Sequence, residues 1–353
     1  MEVEKLVVVE IASVLAGPSV GMFFAELGAS VIKIEPKLTG GDVTRSWKLA
    51  NETKSSKISA YFSSVNYQKE YYFLDFNDQN DFKQVIDFIK SADIVITNFK
   101  KGDDIKFGLD FLSLKKLNSK LIYGAISGFG NESDRVAYDL ILQAETGFMS
   151  MNGSPKSGPV KMPVALIDVL AGHQLKEGIL LALLSRGKKG GALVNVSLYD
   201  TAIASLANQA SNYLMTGHVA ERIGSLHPNI APYGEIFKTK DDASITFAIG
   251  SNKQFISLLS CLDLNLLSTD SSFENNVSRV ENRIELAGII ASKVKEMQLK
   301  DILDYCHHNF IPVAEIKNMQ QVFKTKKARD MILEETIENI KTARVKTIAF
   351  KII

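Results

Sequence analysis

The stretch from Leu6 to Glu35 restricts the fold more than any other part of the chain. Leu6–Ile11 (LVVVEI) is a short run rich in β-branched residues, as strands are, and a Gly17-Pro18 pair follows it. From Ser19 to Leu27, Val20, Phe23, Phe24 and Leu27 recur at helical spacing, and Gly28 ends the pattern. Val31-Ile32-Lys33-Ile34-Glu35 then reads as a second strand. Strand, helix and strand in this order form a βαβ unit, and the sheet it starts is parallel.

The alternation continues. Tyr71–Leu74, Asp93–Thr97 and Lys120–Ile126 read as strands, with a helix over Asp78–Ser91. Val164–Ile167 is another apolar run of strand type, and a helix follows Asp168 to about Ser185. A turn at Gly187–Gly191, a strand at Leu193–Leu198 and a helix from about Asp200 to Met215 complete the series. Parallel strands alternating with helices predict a doubly wound, Rossmann-like α/β domain over residues 1–216. After Gly217 the pattern changes to antiparallel strands within Ala231–Ile249, turning at Lys238–Asp242, then helices at Asn252–Cys261, Glu281–Lys295 and Gln298–His307. Residues 217–310 are therefore expected to form a small α+β domain with its linker. Residues 311–353, with a strand-like Pro312–Ile316 and a helical Gln320–Met331, are expected to return to the large domain.

Charge narrows the choice of partners. Lysine and arginine number 41 against 40 acidic residues, a net +1, so no global field draws the chain to nucleic acid or an anionic membrane. Any anion site must be local. Cys261 and Cys306 are the two cysteines, far too sparse for a disulfide scaffold, and reduced thiols in a cytoplasmic protein are expected. Glu2 and Glu4 do not make the cationic start of a signal peptide, and no apolar stretch is long enough to cross a bilayer. His307 and His308 beside Cys306 lack a spaced second ligand pair, so no metal site is expected there.

The first βα turn raises the question of a ligand. A dinucleotide site needs G-x-G-x-x-G, whose second glycine lets backbone meet pyrophosphate. Leu15-Ala16-Gly17-Pro18-Ser19-Val20-Gly21 is G-x-x-x-G instead, and Pro18 suits a first helical turn. An ordinary turn with no ligand fits these residues as well as a binding turn does.

Longer motifs decide more. L-A-G-P-S (Leu15–Ser19), E-L-G-A-S-V-I-K-I-E-P (Glu26–Pro36) and G-G-D-V-T-R-S-W (Gly40–Trp47) stand in the first part of the chain. Asn66-Tyr67-Gln68-Lys69, Asn98–Gly102 (NFKKG), Ile126–Gly130 (ISGFG) and Tyr138-Asp139-Leu140 follow. Pro163–Gly172 (PVALIDVLAG) and His227–Gly234 (HPNIAPYG) carry the series to the second half. In this order they resemble the class III CoA-transferases (the CaiB–BaiF family) over nearly the whole chain. The resemblance implies a Rossmann-like large domain and a small domain in an interlocked homodimer. It also implies transfer of coenzyme A from an acyl-CoA donor to a free carboxylic acid, with CoA as substrate and no permanently bound cofactor or metal.

Under that resemblance Asp168, in P-V-x-x-x-D-x-x-x-G, is the covalent nucleophile. From its position alone the helix N-cap is the plainer reading, and donors at a helix start would favour its ionised form. Tyr138 stands where the racemases of the family carry a histidine. Its unperturbed pKa near 10 makes it a poor base at neutral pH, so it fits a transferase better than an acyl-CoA racemase. The same comparison assigns CoA contacts to Leu15, Ala16, Lys37, Arg45, Lys69, Asn98, Phe99, Lys106, Phe107 and Ala137. Solvated surface charge is the plain alternative for each lysine. Formyl-CoA transferases have a glutamine where this chain has Leu15, so formyl–oxalyl exchange is not expected. A racemase or epimerase on the same scaffold, and a non-catalytic CoA or nucleotide binder, stay open from the sequence.

Overall fold

A computed structural model describes residues 2–352. The chain divides into two compact units, one made of residues up to 149 with 161–219 and 329 onward, the other of 150–160 with 220–328.

The first unit is built on six strands: β1 (Val7–Ile11), β2 (Ser30–Pro36), β3 (Lys69–Leu74), β4 (Ile94–Thr97), β5 (Ile122–Ser127) and β6 (Ala192–Ser197). Their order is β3-β2-β1-β4-β5-β6 and every pair is parallel, the doubly wound arrangement. Both faces of the sheet are covered, which is why β1 lacks simple alternation: Val8 and Val9 point to opposite faces and both are fully buried. On one face lie α1 (Ala16–Glu26) and, further along the chain, the helix Leu166–Lys189; on the other lies Gln79–Ser91, whose Val85 and Ile89 reach the core with Val9, Ile32 and Val95. Every residue of α1 from Ala16 to Ala25 is buried, so this helix is apolar nearly all round.

The glycines of G-x-x-x-G have a packing role. A Cβ on Gly17 would sit 2.5 Å from the Ala12 Cβ, and one on Gly21 only 1.8 Å from a Glu10 carboxylate oxygen. They let α1 lie against β1 and leave space for a buried acid.

Three local expectations are corrected. Val164–Ile167 is not a strand: the helix begins at Leu166, two residues ahead of Asp168, and β5 pairs directly with β6. The helix expected from Asp200 to Met215 is two helices, Leu198–Ala204 and Ala207–Thr216, broken where Ala207 takes φ +48°. The helix expected over Gln320–Met331 is two short turns of helix, and an unforeseen hairpin of β10 (Ile332–Ile337) and β11 (Ile340–Val345) follows. Glu338 and Asn339 form its turn with φ +47° and +66°, the twist that suits a two-residue hairpin. The hairpin sets Ile337 against Ile58 and Phe62 in the first unit.

The second unit has a three-stranded antiparallel sheet of β7 (Tyr233–Lys238), β8 (Ser244–Ala248) and β9 (Val313–Glu315), with helices Asn252–Cys261, Arg283–Val294 and Leu299–His308 around one core. The return expected at residue 311 comes at 329 instead, because β9 pairs with β8 (Phe247 opposite Val313, Ile245 opposite Glu315). Residues 150–160 belong to this unit although they interrupt the first. Cys261 and Cys306 face each other as buried free thiols, Sγ–Sγ 3.9 Å. His227–Gly234 is tied down by two arginines: Arg283 donates to the His227 and Ile230 carbonyls, and Arg279 to that of Ala231. Among the described residues no helix is long and apolar enough to cross a membrane.

Candidate active site

The sheet reverses its winding between β1 and β4, and in doubly wound folds ligands bind at the C-terminal ends of the strands there. A cleft of about 780 Å³ opens at that place, entirely within the first unit. The turn Ser13–Ala16 after β1, the segment Thr97–Gly102 after β4, the loop 130–138 after β5 and Asp168 line it.

Four contacts hold the turn after β1. Asn98 grips Ser13 from both sides, accepting its N–H at 3.1 Å and donating to its carbonyl at 2.9 Å. Lys33 Nζ donates to the Ala12 carbonyl at 2.8 Å, and Asp42 accepts the Val14 N–H. Leu15 and Ala16 are thereby fixed on the cleft wall, Ala16 as the first residue of α1.

Asp168 reaches the same place from the other side. Gly172, one turn further along its helix, rests on the first turn of α1, where an added Cβ would be 2.3 Å from Ser19 Oγ and 3.2 Å from the Ala16 carbonyl oxygen. Only a glycine allows that approach. It brings the start of the Leu166–Lys189 helix beside Leu15 and Ala16.

The N-cap reading of Asp168 is corrected. Asp168 is the third residue of the helix, Ala165 occupies the cap position, and the acceptor for the first-turn N–H groups is Asp139. Asp139 Oδ1 accepts from Ile167 N–H at 2.7 Å and Asp168 N–H at 3.4 Å, while Gln143 Nε2 donates to Oδ2 at 2.5 Å. The expectation that donors at the helix start keep Asp168 readily ionised is corrected with it. Asp168 is 8% exposed, and burial followed by the Asp139 charge pushes its carboxyl up to about 7.

Tyr138 immediately precedes Asp139, half exposed with its side chain at the cleft, and Ala137 packs beside it against the core. Tyr61 was not foreseen. Burial, then the charges of Asp168, Asp139 and Asp42, push its hydroxyl up to about 12. It meets Trp47 edge-on, ring centroids 5.1 Å apart.

The basic positions separate. Lys69 is fully buried and donates to Glu10, Asn66 and the carbonyls of Pro18 and Val65, all within 2.9 Å, so no phosphate can reach it. Arg45 is spent in the same way, forked onto Glu35 (2.6 and 2.7 Å), paired with Glu338 at 2.9 Å and stacked 4.0 Å above Phe62. Both residues are structural, a correction to the CoA-contact list. Lys37 is exposed, pairs with Asp81 at 3.0 Å and lies outside the cleft wall. Lys106 places Nζ 5.1 Å over the Phe107 ring, and Phe107 and Phe99 both meet Phe76 edge-on. Lys106 and Phe107 also lie off the cleft wall, while Asn98 and Phe99 line it with Leu15, Ala16 and Ala137. Its cations are Lys100, Lys101 and Arg135; Lys101 donates to the Glu132 carbonyl and Arg135 is forked onto Glu145.

The sequence carries one signal for the buried charges. Glu10 and Lys33 each interrupt a strand that a two-sided parallel sheet should make continuously apolar. They pair at 2.8 Å, Lys69 takes the other Glu10 oxygen, and Asp42 lies 3.3 Å from Lys33. Burial draws the Lys33 ammonium down, but Glu10, Asp42 and Glu35 outweigh it and hold it above its ordinary value.

Comparison with known proteins agrees with this architecture. The family profile described as CoA-transferase family III matches residues 3–352. The chain belongs to CoA-transferase family III. Among its curated family III relatives, the succinate–glutarate CoA-transferase of Agrobacterium fabrum is 36% identical over 90% of this chain and 80% of its own length. Human succinyl-CoA:glutarate CoA-transferase is 31% identical, covering 91% of this chain and 73% of that protein. A CaiB/BaiF family protein from Brucella suis, known from its crystal structure, is 34% identical with a TM-score of 0.83, covering 99% of this chain and 92% of that one.

Proposed function

We propose that this CoA-transferase moves coenzyme A between carboxylic acids with Asp168 as its covalent nucleophile. The observation that carries the reading is the setting of Asp168: a buried carboxyl at the switch-point cleft, with Tyr138 and the Leu15–Ala16 turn on the same wall, pushed up to about 7 by burial and then by Asp139.

The ionised carboxylate attacks the thioester carbonyl of the donor. The C–S bond breaks, CoA leaves as thiolate and an aspartyl–acyl mixed anhydride remains. The thiolate then attacks the aspartyl carbonyl, giving an aspartyl-CoA thioester and the first free acid. An incoming carboxylate reverses the two steps. Each step exchanges bonds of similar energy, and the burial of Asp168 limits hydrolysis of either intermediate. Tyr138 supplies a hydroxyl donor beside the thioester, Leu15, Ala16 and Ala137 its wall, and Asn98 with Phe99 the next part of the CoA site. Lys37, Lys106 and Phe107 are assigned to the phosphates and adenine.

Succinate and glutarate in the relatives' names support short dicarboxylic acids as the acids exchanged. Lys100 and Lys101, on a wall that also carries Asp104, Asp110, Glu132 and Asp134, are the side chains assigned to meet these acids and CoA. The active form is proposed to be an interlocked homodimer, with a mass in light scattering near twice the 38.9 kDa of the chain.

Incubation with succinyl-CoA followed by hydroxylamine should leave a hydroxamate on Asp168, detected by mass spectrometry, and Asp168→Ala should abolish both it and transfer to glutarate. An unmodified protein that exchanges the α-proton of a 2-methylacyl-CoA with solvent would overturn the transferase chemistry. CoA binding without either reaction would point to a binding protein.

A further inference from the structure

Val14 adopts φ +72°, the left-handed region, where a β-branched side chain is strained. It does so on the wall of the cleft, directly before Leu15 and Ala16. A conformation of this kind persists only where its surroundings impose it, so the group that imposes it sets the shape of the wall.

That group is Asp42. Its two carboxylate oxygens accept the Val14 N–H at 3.2 and 3.4 Å. Asp42 is itself held from every side. Its carboxylate accepts from the Thr44 N–H (3.0 Å) and hydroxyl (2.8 Å), lies 3.3 Å from Lys33 Nζ, and its own N–H donates to Glu35 at 2.6 Å. Asp42 is 3% exposed and does not line the cleft. Lys33 and Asn98 fix Ala12 and Ser13, so the peptide left to turn is the one Asp42 holds.

We infer that Asp42 is a positioning residue: by holding Val14 left-handed it sets Leu15 and Ala16 against the acyl-CoA thioester. The inference rests on the CoA-transfer reading. Without the carboxylate, Val14 relaxes to negative φ, the peptides on either side rotate, and the wall beside Asp168 moves.

Glycine separates this role from a general contribution to folding, because it occupies positive φ without a side-chain penalty. The test compares Asp42→Ala in the native background and in a Val14→Gly background, reading kcat for transfer from succinyl-CoA and, by calorimetry, the Kd for CoA. In the native background the substitution should lower kcat or weaken CoA binding by about tenfold, the order of one strained residue. In the Val14→Gly background the same substitution should cost less than about threefold, since the glycine no longer needs the clamp. Equal losses in both backgrounds, or none in either, would overturn the inference. If Asp42→Ala does not fold, Asp42→Asn is compared in the same two backgrounds and judged by the same outcomes. The calorimetric arm needs no turnover, so a wild-type protein that binds CoA but transfers nothing would refute the proposed function and still decide the role of Asp42.

Discussion

Asp139 caps a helix to which it does not belong. Its Oδ1 takes the N–H groups of Ile167 and Asp168, and the same carboxylate opposes the ionisation of the Asp168 side chain. One residue thus fixes where Asp168 stands and adds to the burial that raises its carboxyl. Gln143, with Nε2 on Asp139 Oδ2 and Oε1 accepting the Met162 N–H, holds the cap in place.

Asp139→Asn removes the charge. Asparagine still offers an oxygen to the Ile167 N–H, while its amide NH2 faces Gln143 Nε2 and forfeits that hydrogen bond. Burial, the larger cause, keeps the Asp168 carboxyl above the ordinary range, while loss of Asp139 lets it fall below about 7. Attack needs the ionised form, so the acid limb of the pH–rate profile for aspartyl-CoA formation should move to lower pH. An acid limb that stays near pH 7 in the variant would rule out the coupling.

The raised value also predicts an effect on stability. An aspartate ordinarily titrates near 3.8 and Asp168 in the fold near 7, so between these values the folded state holds the extra proton. The Asp168 contribution to stability therefore falls as pH rises from about 4 to 7, and above 7 the folded protein bears the full cost of this buried charge. Asp168→Asn should abolish transfer and yet stabilise the protein at pH 8 by roughly 2–4 kcal/mol, a gain that shrinks toward pH 4. Urea unfolding at both pH values measures it. A variant less stable than wild type at pH 8 would contradict the burial argument.

The parallel sheet and the line of motifs along it were legible because period and turn chemistry are local: Leu6–Ile11, Gly28 and Asp78 mark their elements by residue type alone. The partners of charged residues were not. Lys69 and Arg45 have the composition of phosphate ligands, and only the fold brings Glu10 and Glu35 to them from other strands or loops. Asp168 follows an apolar run that reads as a strand, yet β5 and β6 pair directly, which leaves that run to start a helix and moves the cap to Asp139. The β10–β11 hairpin turns at Glu338-Asn339, a pair without the glycine that usually announces such a turn.

Lys69 tests the structural assignment directly. Lys69→Met removes one of two cations from Glu10 and leaves the Asn66 amide oxygen and two carbonyls without their donor. Lys33 keeps the other Glu10 oxygen, so the loss should lie near the low end for breaking a buried pair, about 3 kcal/mol. The Kd for CoA of the folded variant, measured by calorimetry below its melting range, should stay within about threefold of wild type. A large loss of affinity with unchanged stability would return Lys69 to the CoA site.

Gly21 reports on the same network from the helix side. An alanine there would put its Cβ 1.8 Å from a Glu10 oxygen and 3.4 Å from Lys69 Nζ. Neither group can swing away, because both are wholly buried and committed to partners, and α1 is packed along β1 and β2. Overpacking of this kind costs about 1–3 kcal/mol where the core can adjust, and here a charged pair must also be displaced, so Gly21→Ala should cost at least about 3 kcal/mol. Gly288, in the interior of the Arg283–Val294 helix with nothing within 4 Å of an added Cβ, supplies the contrast. There alanine should stabilise by about 0.5–1 kcal/mol through helix propensity alone. Chemical denaturation of the two variants should therefore move in opposite directions. A Gly21→Ala protein as stable as wild type would mean that Glu10 does not occupy the space beneath α1.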